Sequence, residues 1–280
     1  MEKEKSLDRL KVLEKIEEYE KKGLFDQNVE DDPPYEPLMP NEVDYLKKKF
    51  FSKVKRDISY CLASSFIKNI IKNNQMIIKE INGLENLDKV SSGAIVTCNH
   101  FNPFDNFAIY KAFQHKLTRK KRMFKIIREG NYRFPGLYGF LFRNCDTLPL
   151  ASNKATLNNF LKAVDTQLQN GHYVLVYPEQ AMWWNYKKIR PFKVRAFKFA
   201  VKNDVPVIPC YITMKDSEFI GEDGFPIQEY YINIMEPIYP DKTKSVTESA
   251  NEMADKNYKM CVDVYEKFYG EPLVYNTEKE

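Results

Sequence analysis

From residue 75 onward, short apolar runs alternate with longer segments of helical periodicity, and this alternation constrains the fold more than any other feature of the chain. The apolar runs are rich in β-branched side chains, as buried strands are. The predicted strands cover residues 75–81, 93–98, 123–128, 147–150, 172–177, 205–213 and 230–235, and the predicted helices cover residues 103–115, 135–143, 152–170, 194–203 and 246–269. Strands that alternate with helices in this way predict an α/β fold, with a mostly parallel sheet flanked by helices.

Changes in composition divide the chain into three parts. Residues 1–40 form an N-terminal helical extension, in which a charged helix precedes a linker that contains Asp31-Asp32-Pro33-Pro34. This density of proline excludes regular secondary structure in the linker. We predict an amphipathic helical segment at 41–74 and the α/β domain at 75–280.

The predicted helix at 42–72, capped by Asn41, combines an apolar stripe with an excess of basic residues. Phe50, Phe51 and Phe66 add aromatic bulk to it. Basic amphipathic helices can lie in the interface of an anionic bilayer, which makes an anionic membrane surface an expected partner. The alternative is a helix that packs on the core with one solvated face.

Charge and cysteine content exclude several classes of protein. The chain of 280 residues carries a formal net charge of +4, which is too small to indicate nucleic-acid binding by itself. Its five cysteines are dispersed and form no C-x-x-C pair, so neither a disulfide framework nor a zinc site is expected. No secretory signal is recognisable, and the longest apolar runs fall far short of the ~20 residues that a spanning helix needs. We expect a cytoplasmic protein that associates peripherally with a membrane.

A candidate catalytic pair follows the strand at 93–98. His100 lies in the turn after this strand, and Asn102-Pro103 is typical of a helix start. Because the turn lies between them, Asp105 can fold back toward His100. A neutral imidazole that is oriented by a carboxylate is suited to general-base catalysis. The alternative is that Asp105 caps the helix and that His100 is an ordinary turn residue.

A second candidate site residue, Glu179, follows the apolar run at 174–177. Ligand sites of parallel sheets lie beyond the carboxyl ends of the strands, where both His100 and Glu179 would lie. Taken alone, Glu179 could equally be a loop carboxylate that pairs with a nearby lysine.

Four motifs that follow one another along the chain resemble those of the phospholipid-synthesis acyltransferase superfamily, which contains the lysophosphatidic acid acyltransferases. Asn99-His100 with Asp105 matches its N-H-x4-D block, and Pro178-Glu179 matches its F-P-E-G-T-R-S block, with Tyr177 in place of Phe. Residues 205–209 match its V-P-x-x-P block, and residues 190–197 occupy the place of its F-K-x-G-A-F segment. The resemblance covers roughly residues 80–240 and describes a divergent member.

The resemblance implies an enzyme similar to 1-acylglycerol-3-phosphate O-acyltransferases. Such an enzyme moves a fatty acyl group from acyl-CoA or acyl carrier protein to the hydroxyl of a lysophospholipid or a similar glycerolipid. By the same resemblance, His100 is the general base, Asp105 orients it, and Glu179 binds the acceptor. Neither a metal ion nor another cofactor is implied, since the acyl thioester is a co-substrate.

The chain departs from the superfamily after Glu179, where Gln180-Ala181-Met182-Trp183 replaces Gly-Thr-Arg-Ser. The arginine that the superfamily uses near an acceptor phosphate is therefore absent. Lys187, Lys188 and Arg190 follow closely and could bind a phosphate from another direction. The alternative for these three residues is a solvated basic loop.

Two other functions remain open. His100, Asp105 and Glu179 could bind a divalent metal ion in a hydrolase. The chain could also be a non-catalytic lipid- or membrane-binding module on the same fold. In the same loop, Trp183-Trp184 could line an acyl-chain groove, lie at a membrane interface, or form a packed corner.

Overall fold

A seven-stranded sheet forms the centre of the protein in a computed structural model that describes residues 3–31 and 34–278. The strands are β1 (Ile77–Asn82), β2 (Ala94–Thr97), β3 (Met123–Arg128), β4 (Thr147–Leu150), β5 (Tyr173–Val176), β6 (Val207–Ile220) and β7 (Pro226–Ile234). Their order in the sheet is β1-β7-β6-β2-β5-β3-β4. The β6–β7 pair is antiparallel and all other neighbours are parallel, so the predicted α/β fold is confirmed.

Helices flank this sheet. They are α1 (Leu7–Lys21), α2 (Phe50–Lys72), α3 (Asp105–Phe113), α4 (Glu129–Tyr132), α5 (Gly136–Asn144), α6 (Lys154–Gln169), α7 (Arg195–Lys202) and α8 (Val246–Tyr269). Short 3-10 turns occupy Leu84–Lys89 and Gln114–Lys116. Among the described residues, no helix is long and apolar enough to cross a bilayer.

Strand β2 lies in the middle of the sheet and is buried on both faces. Ala94 and Val96 pack in the core on one face, whereas Ile95 packs in the core on the other. This alternation follows from the two-residue period of a strand. Both faces of the strand are covered, so Ala94, Ile95 and Val96 form an uninterrupted apolar run.

The register between β2 and β5 sets the positions of the candidate site residues. Thr97 of β2 pairs with Val176 of β5 in the parallel ladder. His100 and Glu179 each lie three residues beyond this pair, at the same edge of the sheet. The sheet alone therefore brings the two chain segments side by side.

The structure corrects the predicted start of α2, which begins at Phe50 and not near residue 42. Residues 41–49 form turns, because Val43 and Tyr45 are buried in the core beneath α6. The Tyr45 hydroxyl donates a hydrogen bond to the backbone oxygen of Pro149 (2.8 Å). Lys47 has a positive φ of 46°, which a helix does not allow.

Other predicted boundaries also shift. Helix α3 begins at Asp105 instead of Pro103, and α6 begins at Lys154 instead of residue 152, with Asn153 as its cap. Strand β6 continues beyond residue 213 to Ile220 and forms a long hairpin with β7. The predicted strand ends at residue 213 because the exposed outer half of β6 is mostly polar.

The N-terminal extension packs against the loop that follows β5. Ile16 of α1 and Val29 of the linker form a buried cluster with Ala181 and Trp183. The Glu20 carboxylate accepts a hydrogen bond from the backbone N–H of Asn276 (2.9 Å), which joins α1 to the C-terminal segment. The extension therefore covers the loop that carries Glu179 and Arg190.

Candidate active site

His100 and Asp105 are in direct contact. The distance from His100 Nδ1 to Asp105 Oδ2 is 2.7 Å, and the Asp105 side chain is completely buried. The same oxygen accepts hydrogen bonds from the backbone N–H groups of Phe101 (3.2 Å) and Asn102 (3.3 Å). Asp105, the first residue of α3, therefore closes the turn and holds the imidazole at the same time.

Tyr177 completes the surroundings of this pair. Its hydroxyl donates a hydrogen bond to Asp105 Oδ1 (2.6 Å), and its ring stacks on the His100 ring with 4.0 Å between centroids. Burial and the Asp105 carboxylate raise the pKa of Tyr177 well above its usual value, so the hydroxyl keeps its proton and remains a donor. With Nδ1 bound to Asp105, Nε2 is the ring atom that a substrate can approach.

Glu179 has a different orientation from the one expected of an acceptor-binding residue. Its Oε2 accepts hydrogen bonds from the backbone N–H of His100 (3.0 Å) and from Arg190 Nη2 (2.8 Å), and its Oε1 accepts the backbone N–H of Arg190 (2.8 Å). The side chain is only 2% exposed. The expectation that Glu179 faces the site is wrong, because the carboxylate points inward and fixes the backbone of His100.

Arg190 is buried as deeply as its partner. Its Nη1 donates to the backbone oxygen of Phe25 (2.9 Å), and its Nη2 also donates to the backbone oxygens of His100 (3.3 Å) and Ala181. The guanidinium lies over the Trp183 ring. These contacts leave Arg190 facing the protein interior, which contradicts its expected place at an acceptor phosphate.

The two lysines of the same loop do not converge with Arg190 on a common site. Lys187 forms an ion pair with Asp216 (3.6 Å) and Lys188 forms one with Glu20 (2.5 Å). The three residues therefore do not form a phosphate site in this structure.

The two tryptophans form a packed corner, which was one of the three alternatives for them. Trp183 is completely buried and its Nε1 donates to the backbone oxygen of Gln27 (2.9 Å). Trp184 is 5% exposed and packs against Phe225 and the guanidinium of Arg9. Neither ring is available to a membrane.

The three residues considered as metal ligands do not form a ligand set. Both Glu179 oxygens face N–H donors, while the Asp105 oxygens face His100 and Tyr177. Within residues 3–31 and 34–278, no group of three or more His, Cys, Asp or Glu side chains is arranged to hold a metal ion.

Two positioning residues were not found from the sequence. Asn99 uses its side-chain amide to bind the backbone N–H and oxygen of Ile212 (2.9 and 3.0 Å), which ties the end of β2 to β6. Tyr177 binds Asp105 through its hydroxyl. The substitution of Tyr177 for the usual Phe was visible in the sequence and could have indicated an added hydrogen bond.

The part of the chain that carries the candidate site is similar to a known family. A family model described as Acyltransferase matches residues 79–213, which contain His100, Asp105 and Glu179. This region, just under half of the chain, is similar to the acyltransferase family, which confirms the resemblance predicted from the motifs. No curated protein sequence matches the chain.

Among solved structures, the chain is similar to the crystal structure of PlsC, the 1-acyl-sn-glycerophosphate (LPA) acyltransferase from Thermotoga maritima. The identity is 20% and the TM-score is 0.51, with 80% of this chain and 91% of that chain covered. At this identity, the similarity shows that the two proteins share a fold.

The buried Glu179–Arg190 pair leads to a stability prediction. Arg190→Met should lower the free energy of unfolding by about 3–5 kcal/mol, because it leaves the Glu179 carboxylate buried without its cation. Adding Glu179→Gln should restore part of this loss. Lys187→Met is the matched control on the same loop and should cost less than about 1 kcal/mol, since its ion pair is exposed. Urea unfolding of the four proteins measures these differences, and a loss in Arg190→Met no larger than in the control would contradict the structural role.

Proposed function

We propose that this protein transfers a fatty acyl group from an acyl thioester to the hydroxyl of a lysophospholipid or a similar glycerolipid. The observation that carries the proposal is the contact between His100 and Asp105, held at the edge of the sheet within a domain of the acyltransferase family. The domain supplies the class of reaction. The His100–Asp105 pair supplies a general base for that reaction.

In the proposed reaction, His100 Nε2 takes the proton of the acceptor hydroxyl as the oxygen attacks the thioester carbonyl. The tetrahedral intermediate then collapses, the carbon–sulfur bond breaks, and His100 returns the proton to the leaving thiolate. Asp105 holds the Nδ1–H tautomer and stabilises the imidazolium. Tyr177 and the backbone amides of residues 101 and 102 bind the Asp105 carboxylate and keep it in place.

The thioester is already activated, so the reaction needs no covalent acyl-enzyme. Bringing donor, acceptor and base together in one complex supplies much of the rate enhancement. The donor in this proposal is acyl-CoA or acyl carrier protein, and no metal or other cofactor takes part. PlsC from Thermotoga maritima is a 1-acyl-sn-glycerophosphate acyltransferase, so the same acceptor is the first one to test with this chain.

The His100–Asp105 pair leads to the first functional prediction. His100→Ala should lower the rate of acyl transfer at least ~10²-fold, which is the usual scale for loss of a general base. Asp105→Asn should lower this rate by less, because the imidazole remains and loses only the partner that fixes its tautomer and orientation. The measurement is transfer of a labelled acyl group from acyl-CoA to a panel of lysophospholipids. His115→Ala, on a surface turn, is the control. Near-normal turnover of His100→Ala would refute the assignment and favour a non-catalytic lipid-binding module.

A surface suited to a membrane lies beside the site. The exposed apolar side chains of α2 and α5, called here the α2–α5 face, are those of Phe50, Phe51, Val54, Ile58, Leu62, Leu137 and Tyr138. Phe50 and Phe51 are about three-quarters exposed, at 74% and 75%. Phe66 joins this face to the site, because its ring contacts Tyr138 on one side and Phe104 and Phe107 of the His100 turn and α3 on the other.

The charges around the α2–α5 face suit an anionic bilayer. Helix α2 carries Lys53, Lys55, Arg56, Lys68 and Lys72 against a single acid, Asp57. An amphipathic helix with this composition binds in the interfacial plane through apolar burial and attraction to anionic lipid. We therefore propose that the α2–α5 face holds the protein on the membrane that contains its acceptor, with the His100 turn beside the lipid surface.

Liposome co-sedimentation tests this arrangement. Binding should increase with the fraction of anionic lipid and weaken as salt rises, since charges are screened over ~8 Å at 0.15 M. The double variant Phe50→Ser/Phe51→Ser should bind less. The matched control is Phe219→Ser/Ile220→Ser, which removes two neighbouring exposed apolar side chains from β6. The proposal would be contradicted if binding changed with neither the lipid charge nor the salt concentration, or if both double variants lost the same amount of binding.

A further inference from the structure

A cavity of about 190 Å³ lies next to the candidate active site and has no role in the mechanism above. Five parts of the chain line it: α1, the turn between α2 and β1, the turn that follows His100, the loop after β5, and the β6–β7 turn with the start of β7. The residues used below are Arg9, Gln75, Asn102, Trp184, Asn185 and Gln228.

The cavity is built on the turn that carries His100. The backbone N–H of Trp183 donates to the His100 oxygen (3.1 Å), and that of Asn185 donates to the Phe101 oxygen (2.8 Å). The next residues of the same turn, Asn102 and Phe104, form part of the cavity wall. A molecule bound there is therefore held by the two segments that position the histidine.

Gln228 gives a second, independent indication of a ligand. Its Nε2 donates to Asp216 Oδ1 (2.9 Å) and to the backbone oxygen of Pro226 (3.1 Å). Both partners are acceptors, so the amide nitrogen must face them and the oxygen must face away. Gln228 Oε1 is buried, and none of the described residues donates a hydrogen bond to it. A buried acceptor without a donor is unfavourable, and a ligand hydroxyl that reaches it from the cavity would offset this cost.

The rest of the lining defines the chemistry of this ligand. Four side-chain amides line the cavity, those of Gln75, Asn102, Asn185 and Gln228. Its charged residues are one cation, Arg9, and one acid, Asp223. Arg9 already forms an ion pair with Glu30, so no surplus positive charge is available for a dianionic phosphate monoester. The Asn102 and Asn185 amides also contact each other (3.4 Å). Amide groups beside aromatic walls suit ligand hydroxyl groups, which can both donate and accept hydrogen bonds.

The size of the cavity limits the ligand further. Pockets for drug-sized molecules occupy roughly 300–1,000 Å³, and this cavity is smaller. It can hold a polar headgroup but not an acyl chain.

We propose that this cavity binds the headgroup of the acyl acceptor, and that the headgroup is a polyol, such as glycerol joined through a phosphodiester, and not a bare phosphate monoester. This inference rests on the proposed function, which it deepens by naming the acceptor class. It also accounts for the absence of an arginine after Glu179, since a phosphodiester carries only one negative charge, against nearly two for a monoester, and the polyol is bound through hydrogen bonds.

Acceptor kinetics provide the first test. The wild-type protein should have a higher kcat/KM for lysophosphatidylglycerol than for lysophosphatidate. Gln75→Trp places a large ring at the exposed rim of the cavity and should raise the KM for lysophosphatidylglycerol about tenfold, equivalent to ~1.4 kcal/mol of binding, with little change in kcat. Asn73→Trp adds the same bulk two residues away, outside the cavity lining, and should leave KM unchanged. A preference for lysophosphatidate would overturn the proposal.

Binding of the headgroup alone separates this inference from the proposed function. Glycerophosphoglycerol, which has no acyl chains, should bind the wild-type protein in ligand-observed NMR. Binding should weaken about tenfold in Gln75→Trp and in Gln228→Met, which removes the unpaired acceptor. If this binding occurs while no acyl transfer is detected, the subsite is supported and the proposed reaction fails. If acyl transfer occurs but glycerophosphoglycerol does not bind, or binds both variants as well as the wild type, the subsite is refuted and the reaction stands.

Discussion

The buried carboxylate of Glu179 is the interaction on which the candidate site depends. It accepts the backbone N–H of His100 at the end of β2 and both a backbone and a side-chain N–H of Arg190 in the next loop. Burying such an ion pair costs desolvation energy, which is offset only when the hydrogen bonds are nearly complete. Here they are, because Arg190 also donates to backbone oxygens of His100 and Phe25. The pair thus fixes the backbone of the histidine on both its N–H and its C=O side.

The same network connects the site to the N-terminal extension. Arg190 binds the backbone oxygen of Phe25, Trp183 binds that of Gln27, and Arg9 of α1 lies over Trp184. The extension is therefore part of the site's support, and through Arg9 it forms one wall of the proposed headgroup cavity. The active-site turn lies beside side-chain amides at this cavity, and its surroundings are apolar toward Phe66 and the α2–α5 face. An amphipathic acceptor presents the same two kinds of surface.

The sequence predicted the sheet and the His100–Asp105 contact because both depend on local patterns. Apolar runs such as 93–98 identify buried strands, and the turn between His100 and Asp105 restricts where the carboxylate can point. The directions of Glu179 and Arg190 could not be predicted in this way. Both lie in an irregular loop, and their orientation is decided by partners up to 165 residues away, such as Phe25. For the same reason the predicted start of α2 near residue 42 is wrong. Val43 fits the helical periodicity, but tertiary packing places Val43 and Tyr45 in the core outside the helix.

The tautomer of His100 tests the central claim most directly, because a general base at Nε2 requires that the proton of the neutral ring is on Nδ1. The chain has three histidines, so ¹⁵N-labelled histidine and a His100→Gln variant suffice to assign the His100 signals. At a pH where the ring is neutral, the proposed mechanism predicts a protonated Nδ1, bound to Asp105, and an unprotonated Nε2. A neutral His100 with its proton on Nε2 would have no lone pair facing the substrate and would contradict the mechanism.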